Sequence, residues 1–171
     1  MSAVLQRYCP SCGQATDDRF CPADGVATVA RAALNVDATL VHAGDVIDGR
    51  YRVTGVLGRG GFGAVYSAEH TGTQQKIALK MMLPNPNGID EAEIRRFHRE
   101  AQVTAALRHT NTVRVIDVGQ TADGAMYIAM EHLHGPTLEQ VLRDAVAGVR
   151  KLTTAEVLDI GIQVLRSLQE A

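Results

Sequence analysis

The sequence predicts an α+β protein in which an antiparallel sheet and several helices follow a small cysteine-containing module. Three observations support this prediction. Short alternating apolar segments flank a glycine-rich turn, segments of helical periodicity follow them, and all three cysteines fall within the first 21 residues. A chain of 171 residues can bury one good core, or a modest core plus an appendage too small to have its own. We therefore expect two unequal modules.

Composition and charge exclude several classes of protein. The hydrophobic share of 46% and the charged share of 21% are typical of a folded chain. A net charge of −2 and an isoelectric point of about 6.3 provide no basic surface for nucleic acid or an anionic membrane. No apolar run approaches the ~20 residues that span a bilayer, and the start has no signal-peptide pattern. We expect a cytoplasmic location without nucleic-acid partners; a membrane anchor beyond residue 171 stays open.

The first module, residues 1–25, is predicted from cysteine spacing. Residues 9–13 read CPSCG and residues 21–25 read CPADG, the same pattern with an aspartate in place of a fourth cysteine. Two such turns make a zinc ribbon, because each turn directs two ligands to one point and structural zinc takes four. The predicted zinc ligands are Cys9, Cys12, Cys21 and Asp24. A tail with reduced thiols, or a three-cysteine site completed by water or a histidine such as His42, stays open.

The metal is expected to provide the folding energy of this module. Twenty-five residues cannot bury a sufficient core, whereas structural zinc contributes ~10–16 kcal/mol in small finger peptides. Nothing near the cysteines resembles a base or a substrate pocket, so we expect a structural or partner-binding ribbon. Residues 26–44 are weakly patterned and are interpreted as a linker, and residues 45–171 are interpreted as the second domain.

The second domain is predicted to contain five strands and three helices. Alternating or apolar runs predict strands at 50–57, 64–70, 76–82, 112–119 and 125–133. Helical periodicity predicts helices at 90–109, at 137–145 and from Thr153 onward. Asp90 with Glu93, and Thr153 with Glu156, have the spacing of capping boxes. The last helix is predicted to carry an apolar face formed by Leu158, Ile162, Leu165 and Leu168.

The segment LGRGGFGAVYSAEH, residues 57–70, has GxGxxG spacing, which alone is a weak signal because dinucleotide-binding folds and protein kinases both use it. A dinucleotide site needs a helix after the glycines and an acid about 20 residues on. Here a strand-like segment follows, and Lys80 stands at the acidic position. A Walker A loop is excluded because Ala64 follows Gly63. A hairpin over phosphates remains, with an ordinary β-turn as the alternative.

Three motifs then occur in order. Residues 58–65 read GRGGFGAV and match GxGxxGxV, residues 77–80 read IALK and match VAIK, and residues 99–109 read REAQVTAALRH. On these motifs, the chain from about Asp45 onward resembles the N-terminal lobe and first C-terminal-lobe helices of bacterial eukaryotic-like serine/threonine protein kinases. The resemblance implies a five-stranded antiparallel sheet with one helix, named αC in that family, beside it.

The resemblance also implies ATP as the ligand. Lys80 would hold the α- and β-phosphates and Glu100 would pair with Lys80, which makes these two the catalytic residues. The implied nucleotide-binding residues in the loop, the strands and the hinge are Leu57, Gly58, Arg59, Gly60, Gly61, Phe62, Gly63, Ala64, Val65, Ala78, Met130, Glu131 and Leu133. The alternative is an ordinary strand lysine and an unrelated surface glutamate.

Other catalytic parts of that family do not occur in the sequence. Phosphoryl transfer there also uses HRD…N and DFG, whose side chains accept the substrate proton and hold Mg²⁺. Neither motif is present, and residues 158–171 resemble the helix that precedes the catalytic loop. We expect the ATP-binding portion of a serine/threonine protein kinase, inactive alone, with Mg²⁺ ligands beyond this chain and an unidentified protein substrate. The alternative is a non-catalytic pseudokinase-like scaffold, or a docking module whose ribbon binds a protein partner.

Overall fold

The computed structural model describes residues 7–30, 41–60, 63–82, 91–121 and 125–170. Within these residues the chain forms two antiparallel sheets and three helices. The predicted nucleotide-binding residues Gly61 and Phe62, and Asp90 of the first predicted capping box, lie outside them. None of the described helices has the length and apolar composition needed to cross a bilayer.

The small first sheet contains the cysteine turns. Its three strands, in the order β2-β1-β3, are β1 (Arg7–Tyr8), β2 (Ala15–Thr16) and β3 (Val29–Ala30). Both turns are built alike, since Tyr8 lies opposite Ala15 across the first and Phe20 lies opposite Ala27 across the second. Strand β3 lies beyond residue 25, so the module (the ribbon, residues 7–30) extends into the segment interpreted as a linker.

The second sheet has the order β4-β5-β6-β7-β9-β8. Its strands are β4 (Val46–Ile47), β5 (Tyr51–Gly60), β6 (Gly63–His70), β7 (Lys76–Met81), β8 (Val115–Gln120) and β9 (Met126–Glu131). All neighbouring pairs are antiparallel. The five predicted strands are confirmed, but the strand count of five is wrong. Strand β4 was missed because two residues are too few to show an alternating pattern.

Alternation along the strands divides the core into two clusters, one on each face of the sheet. On β6, Ala64, Tyr66 and Ala68 are buried, whereas Val65 and Ser67 face the other side and are partly exposed. The first cluster combines these three buried residues with Ile47, Tyr51, Val53, Ile77, Leu79, Met81, Tyr127 and Ala129. The other face is left for the predicted nucleotide site and for a helix.

Helix α1 (Glu91–Ala106) occupies part of that other face. It buries Ile94, Phe97 and Ala101, whose spacing places them on one side of a helix. They form a second cluster with Met82, Met126 and Ile128 and with two residues of the ribbon, Tyr8 and Val29. The ribbon and the larger sheet therefore share part of one core.

Two further helices, α2 (Leu138–Val146) and α3 (Thr154–Leu168), follow the sheet. The predicted capping box of Thr153 and Glu156 is confirmed at the start of α3. The predicted apolar face of α3 is exposed, with Leu158 60%, Ile162 46%, Leu165 67% and Leu168 62% accessible. Just after α3, the Glu170 carboxylate accepts the backbone N–H groups of Arg108 and His109, which ties this end of the chain to the segment after α1.

Candidate functional site

Strands β5 and β6 form the hairpin that carries the glycines. Gly58 lies opposite Val65, Arg59 opposite Ala64, and Gly60 opposite Gly63. Strand β5 contains two register shifts, between residues 53 and 55 and between 56 and 58. A second strand, and not a helix, follows the glycines, as the sequence predicted.

The glycines of this hairpin differ in what their surroundings demand. Gly63 has φ +136°, and a Cβ there would lie 2.1 Å from the carbonyl oxygen of Met81. Only glycine fits that position without moving β7. A Cβ on Gly58 or Gly60 would meet no atom within 4 Å among the described residues. Packing therefore requires Gly63, whereas Gly58 and Gly60 keep the hairpin surface free of side chains.

Lys80 on β7 meets the predicted acid from α1. Its Nζ lies 2.5 Å from Oε1 of Glu100, and 5.9 Å from the centre of the Phe97 ring. The Lys80 side chain is 21% exposed and that of Glu100 is 49% exposed, so the pair lies at the edge of a partly desolvated site. This geometry contradicts the alternative of a lysine and a glutamate on unrelated surfaces.

Small and apolar side chains lie beside Lys80 on the same face of the sheet. Val65 is directly opposite Lys80, and Ala78 is directly opposite Met130. Residues opposite each other in antiparallel strands share a face. Val65 and Met130 are partly exposed and Ala78 is buried. The strands therefore present a continuous apolar surface next to the ammonium group.

The remaining predicted nucleotide-binding residues are less uniform. Leu57 and Leu133 are 51% and 65% exposed. The Ala64 side chain is fully buried in the first core cluster, on the face away from Lys80. The Glu131 carboxylate accepts the backbone N–H of Arg114 at 2.8 Å. The structure thus places Val65, Ala78 and Met130 with Lys80, and does not place the Ala64 side chain there.

The four predicted metal ligands lie together in the ribbon. One ligand atom from each of Cys9, Cys12, Cys21 and Asp24 lies within 4.8 Å of the other three. The Sγ atoms of Cys12 and Cys21 are 3.6 Å apart, and Cys9 Sγ is 3.3 Å from Asp24 Oδ2. Four ligands placed tetrahedrally at about 2.3 Å from a zinc ion would be separated by about 3.8 Å. These donor atoms therefore fit that geometry closely.

Backbone hydrogen bonds pre-form both turns. The N–H of Gly13 donates to Cys9 O, and the N–H of Gly25 donates to Cys21 O, each at 2.8 Å. Both glycines adopt left-handed backbone, with φ +78° and +71°. The N–H groups of Ser11 and Cys12 also point to Cys9 Sγ, at 3.4 and 3.5 Å. This geometry orients the ligand atoms before any ion binds.

The ligand atoms differ in acidity. The Val26 N–H bond to the Asp24 carboxylate lowers its pKa to about 2. Burial raises the pKa of the Cys9 thiol to about 11, despite the backbone N–H groups that favour its thiolate. Among the described residues this cluster contains no histidine, so His42 is not brought to it.

Two contributors to these sites were missed by sequence reasoning. Phe97 lies three residues before Glu100, a spacing that places both near one side of a helix, and this was the available signal. Tyr8 and Val29 join the cluster under α1 from the far end of the chain, and no local pattern indicates such a contact.

Comparison with known proteins agrees with this geometry. The protein kinase domain model matches residues 51–170. Serine/threonine-protein kinase pkn3 of Myxococcus xanthus is 36% identical over 130 residues, which are 76% of this chain and 23% of pkn3. PrkC of Bacillus subtilis is 35% identical over 128 residues, which are 75% of this chain and 19% of PrkC.

Solved structures are similar over the same part of the chain. The kinase domain of Mycobacterium tuberculosis PknI matches with a TM-score of 0.61 and 32% identity, covering 75% of this chain and 49% of that domain. The chain thus spans about a fifth of the length of the curated relatives and about half of the solved domain. The family match, the paired lysine and glutamate, and the glycine hairpin together show that the chain belongs to the protein kinase domain family.

Proposed function

We propose that this chain is the ATP-binding portion of a serine/threonine protein kinase. The observation that carries the proposal is the 2.5 Å ion pair between Lys80 and Glu100 beside the glycine hairpin. A lysine held by a carboxylate keeps its ammonium in one place, where it can contact the α- and β-phosphates of ATP. The names of the relatives support Ser and Thr hydroxyls of a protein as acceptors.

The surface around Lys80 fits a nucleotide. Val65, Ala78 and Met130 offer an apolar surface for adenine, and the unobstructed hairpin backbone at Gly58 and Gly60 leaves room for phosphate oxygens. We assign Leu57 and Leu133 to the edges of the adenine site. We assign main-chain contacts to Arg59, Gly61, Phe62, Gly63, Ala64 and Glu131.

The chemistry assigned to these residues is binding and orientation. ATP supplies the phosphoryl group, and Lys80 with the hairpin holds it in place. Neither an HRD nor a DFG motif occurs in the sequence, so we assign no proton acceptor and no Mg²⁺ ligand to this chain.

Replacing Lys80 tests the nucleotide site. ATP at 100 times its dissociation constant stabilises a protein by about 2.7 kcal/mol, equivalent to about 5–10 °C in Tm at this chain length. We expect this shift in the unaltered chain, its loss in Lys80→Met and a smaller shift in Glu100→Gln, measured by thermal denaturation. Lys76→Met is the matched control, because Lys76 lies on the same strand but is exposed. An equal shift in Lys80→Met would contradict the proposal.

We further propose that the ribbon binds one zinc ion through Cys9, Cys12, Cys21 and Asp24. The ligand spacing and the two pre-formed turns support this proposal. The ion would hold the turns together and stabilise a module with two-residue strands. All three cysteines are free thiols, which supports the cytoplasmic location that we also propose.

Elemental analysis tests the zinc site, and competition with a chelator tests Asp24. We expect one zinc per chain, and at least a tenfold loss of zinc affinity in Asp24→Ala because a ligand is removed. Asp17→Ala is the matched control, since Asp17 is an exposed carboxylate of the same ribbon. A chain without zinc would contradict the site. Unchanged affinity in Asp24→Ala would remove Asp24 from the ligand set while retaining the three cysteines.

A further inference from the structure

We propose that Tyr8 and Val29 of the ribbon are positioning residues that hold helix α1 where Glu100 meets Lys80, and that metal binding keeps them there. This inference rests on the nucleotide and zinc sites proposed above. The ribbon is then an internal support for the ATP site, carried on the same chain.

The first step is the shared core. Tyr8 is 1% exposed and Val29 is 3% exposed, although the strands that carry them have two residues each. Both belong to the cluster that contains Ile94, Phe97 and Ala101 of α1. The ribbon is too small to bury such side chains by itself. Their burial therefore depends on α1 and the larger sheet, and α1 in turn loses apolar contacts if they leave.

The second step links this cluster to the ion pair. Phe97 is a member of the cluster, and its ring centre lies 5.9 Å from Lys80 Nζ. Glu100 follows one turn later, directly before the buried Ala101. The buried residues of α1 thus flank the carboxylate that meets Lys80. Among the described elements of the larger sheet, α1 contacts β8 most extensively, so the ribbon provides a second support.

The third step links the cluster to the metal ligands. Tyr8 directly precedes Cys9, which is fully buried. On the same strand Arg7 donates to Thr28, the neighbour of Val29, through Nε to Oγ1 at 2.8 Å and through Nη2 to the backbone oxygen at 2.5 Å. The first cysteine turn also lies along α1, since one cavity of about 510 Å³ is lined by Pro10, Ser11, Arg95, Arg96, His98, Arg99 and Gln102. Loss of the ion would release both strands from α1.

Hydrogen–deuterium exchange of the 171-residue chain measures this support directly. We expect zinc removal by a chelator, or Tyr8→Ala in the zinc-loaded chain, to raise amide exchange in α1 by about tenfold or more. Exchange in β6 is the internal reference and should stay unchanged, because a general loss of stability would raise both. Tyr8→Phe should restore protection to within about twofold, since it keeps the ring. Phe20→Ala is the matched control, because Phe20 is a ribbon aromatic that is 57% exposed.

A double-mutant cycle tests whether Tyr8 acts through the ion pair. We expect Tyr8→Ala to weaken ATP binding about fivefold alone, and to have little further effect in the Glu100→Gln chain. Unchanged α1 exchange in both Tyr8→Ala and the chelated chain, or an equal rise in β6, would overturn the inference. A chain without zinc would overturn its metal dependence. Failure of the unaltered chain to bind ATP would contradict the nucleotide site alone, because the exchange experiment needs no nucleotide.

Discussion

Gly63→Ala is expected to lower the free energy of unfolding by about 2–5 kcal/mol, because the new methyl group would occupy space held by backbone. The Cβ would lie 2.1 Å from the Met81 carbonyl oxygen, and the φ of +136° is one that alanine rarely adopts. Strand β7 would have to move to relieve the clash, and Lys80 lies on that strand. Urea denaturation followed by circular dichroism measures this loss.

Gly60→Ala is the control for this prediction. Its Cβ would meet no described atom within 4 Å and its φ is not positive, so its free energy of unfolding should stay within about 1 kcal/mol of the original. We expect Gly60→Ala to reduce the ATP-dependent rise in Tm instead, because a side chain would enter the space assigned to phosphate. Similar losses of stability in both variants would show that the hairpin glycines do not differ in the way described.

Cys12→Ser is expected to abolish stoichiometric zinc binding and to unfold the ribbon, since structural zinc contributes ~10–16 kcal/mol in small finger peptides. Cys12 is the best ligand to replace, because it is exposed whereas Cys9 and Cys21 are buried, so the change leaves no cavity in the core. An unfolded ribbon exposes its backbone to proteases. We expect trypsin to cleave after Arg19 far faster than in the unaltered chain, as followed by mass spectrometry.

Ser11→Ala is the matched control for the cysteine variant. The Ser11 side chain is exposed, and its backbone N–H still points to Cys9 Sγ after the substitution. Zinc content and the rate of cleavage at Arg19 should therefore match the unaltered chain. Zinc-free Cys12→Ser that resists trypsin as well as the unaltered chain would show that the ribbon folds without the ion.

Much of the fold could be predicted because its signals are local. Alternating burial along β6 and helical spacing of Ile94, Phe97 and Ala101 are written within single segments, and the five longer strands and α1 followed from such patterns. Strand β4 has two residues and carries no period. The burial of Tyr8 under α1 is a tertiary contact between distant segments, for which a single sequence holds no signal.

The candidate site shows the same division. Lys80 and Glu100 were predicted from motif spacing, and the structure brings their charged groups together. Motif matching could not separate Ala64 from Val65, although their side chains lie on opposite faces of the sheet. It also treated the loop glycines as equivalent. Their difference arises because Gly63 lies against the backbone of β7, a contact that depends on how two strands pair.

The interior beneath α1 makes the boundary of this domain ambiguous. Family similarity begins at residue 51, whereas the side chains that fill this interior begin at residue 8. A recombinant protein trimmed to the conserved region would expose Ile94 and Phe97 to water on the side that Tyr8 and Val29 now cover. Such trimming should reduce solubility. Conserved homology and independent folding would therefore define different units in this polypeptide.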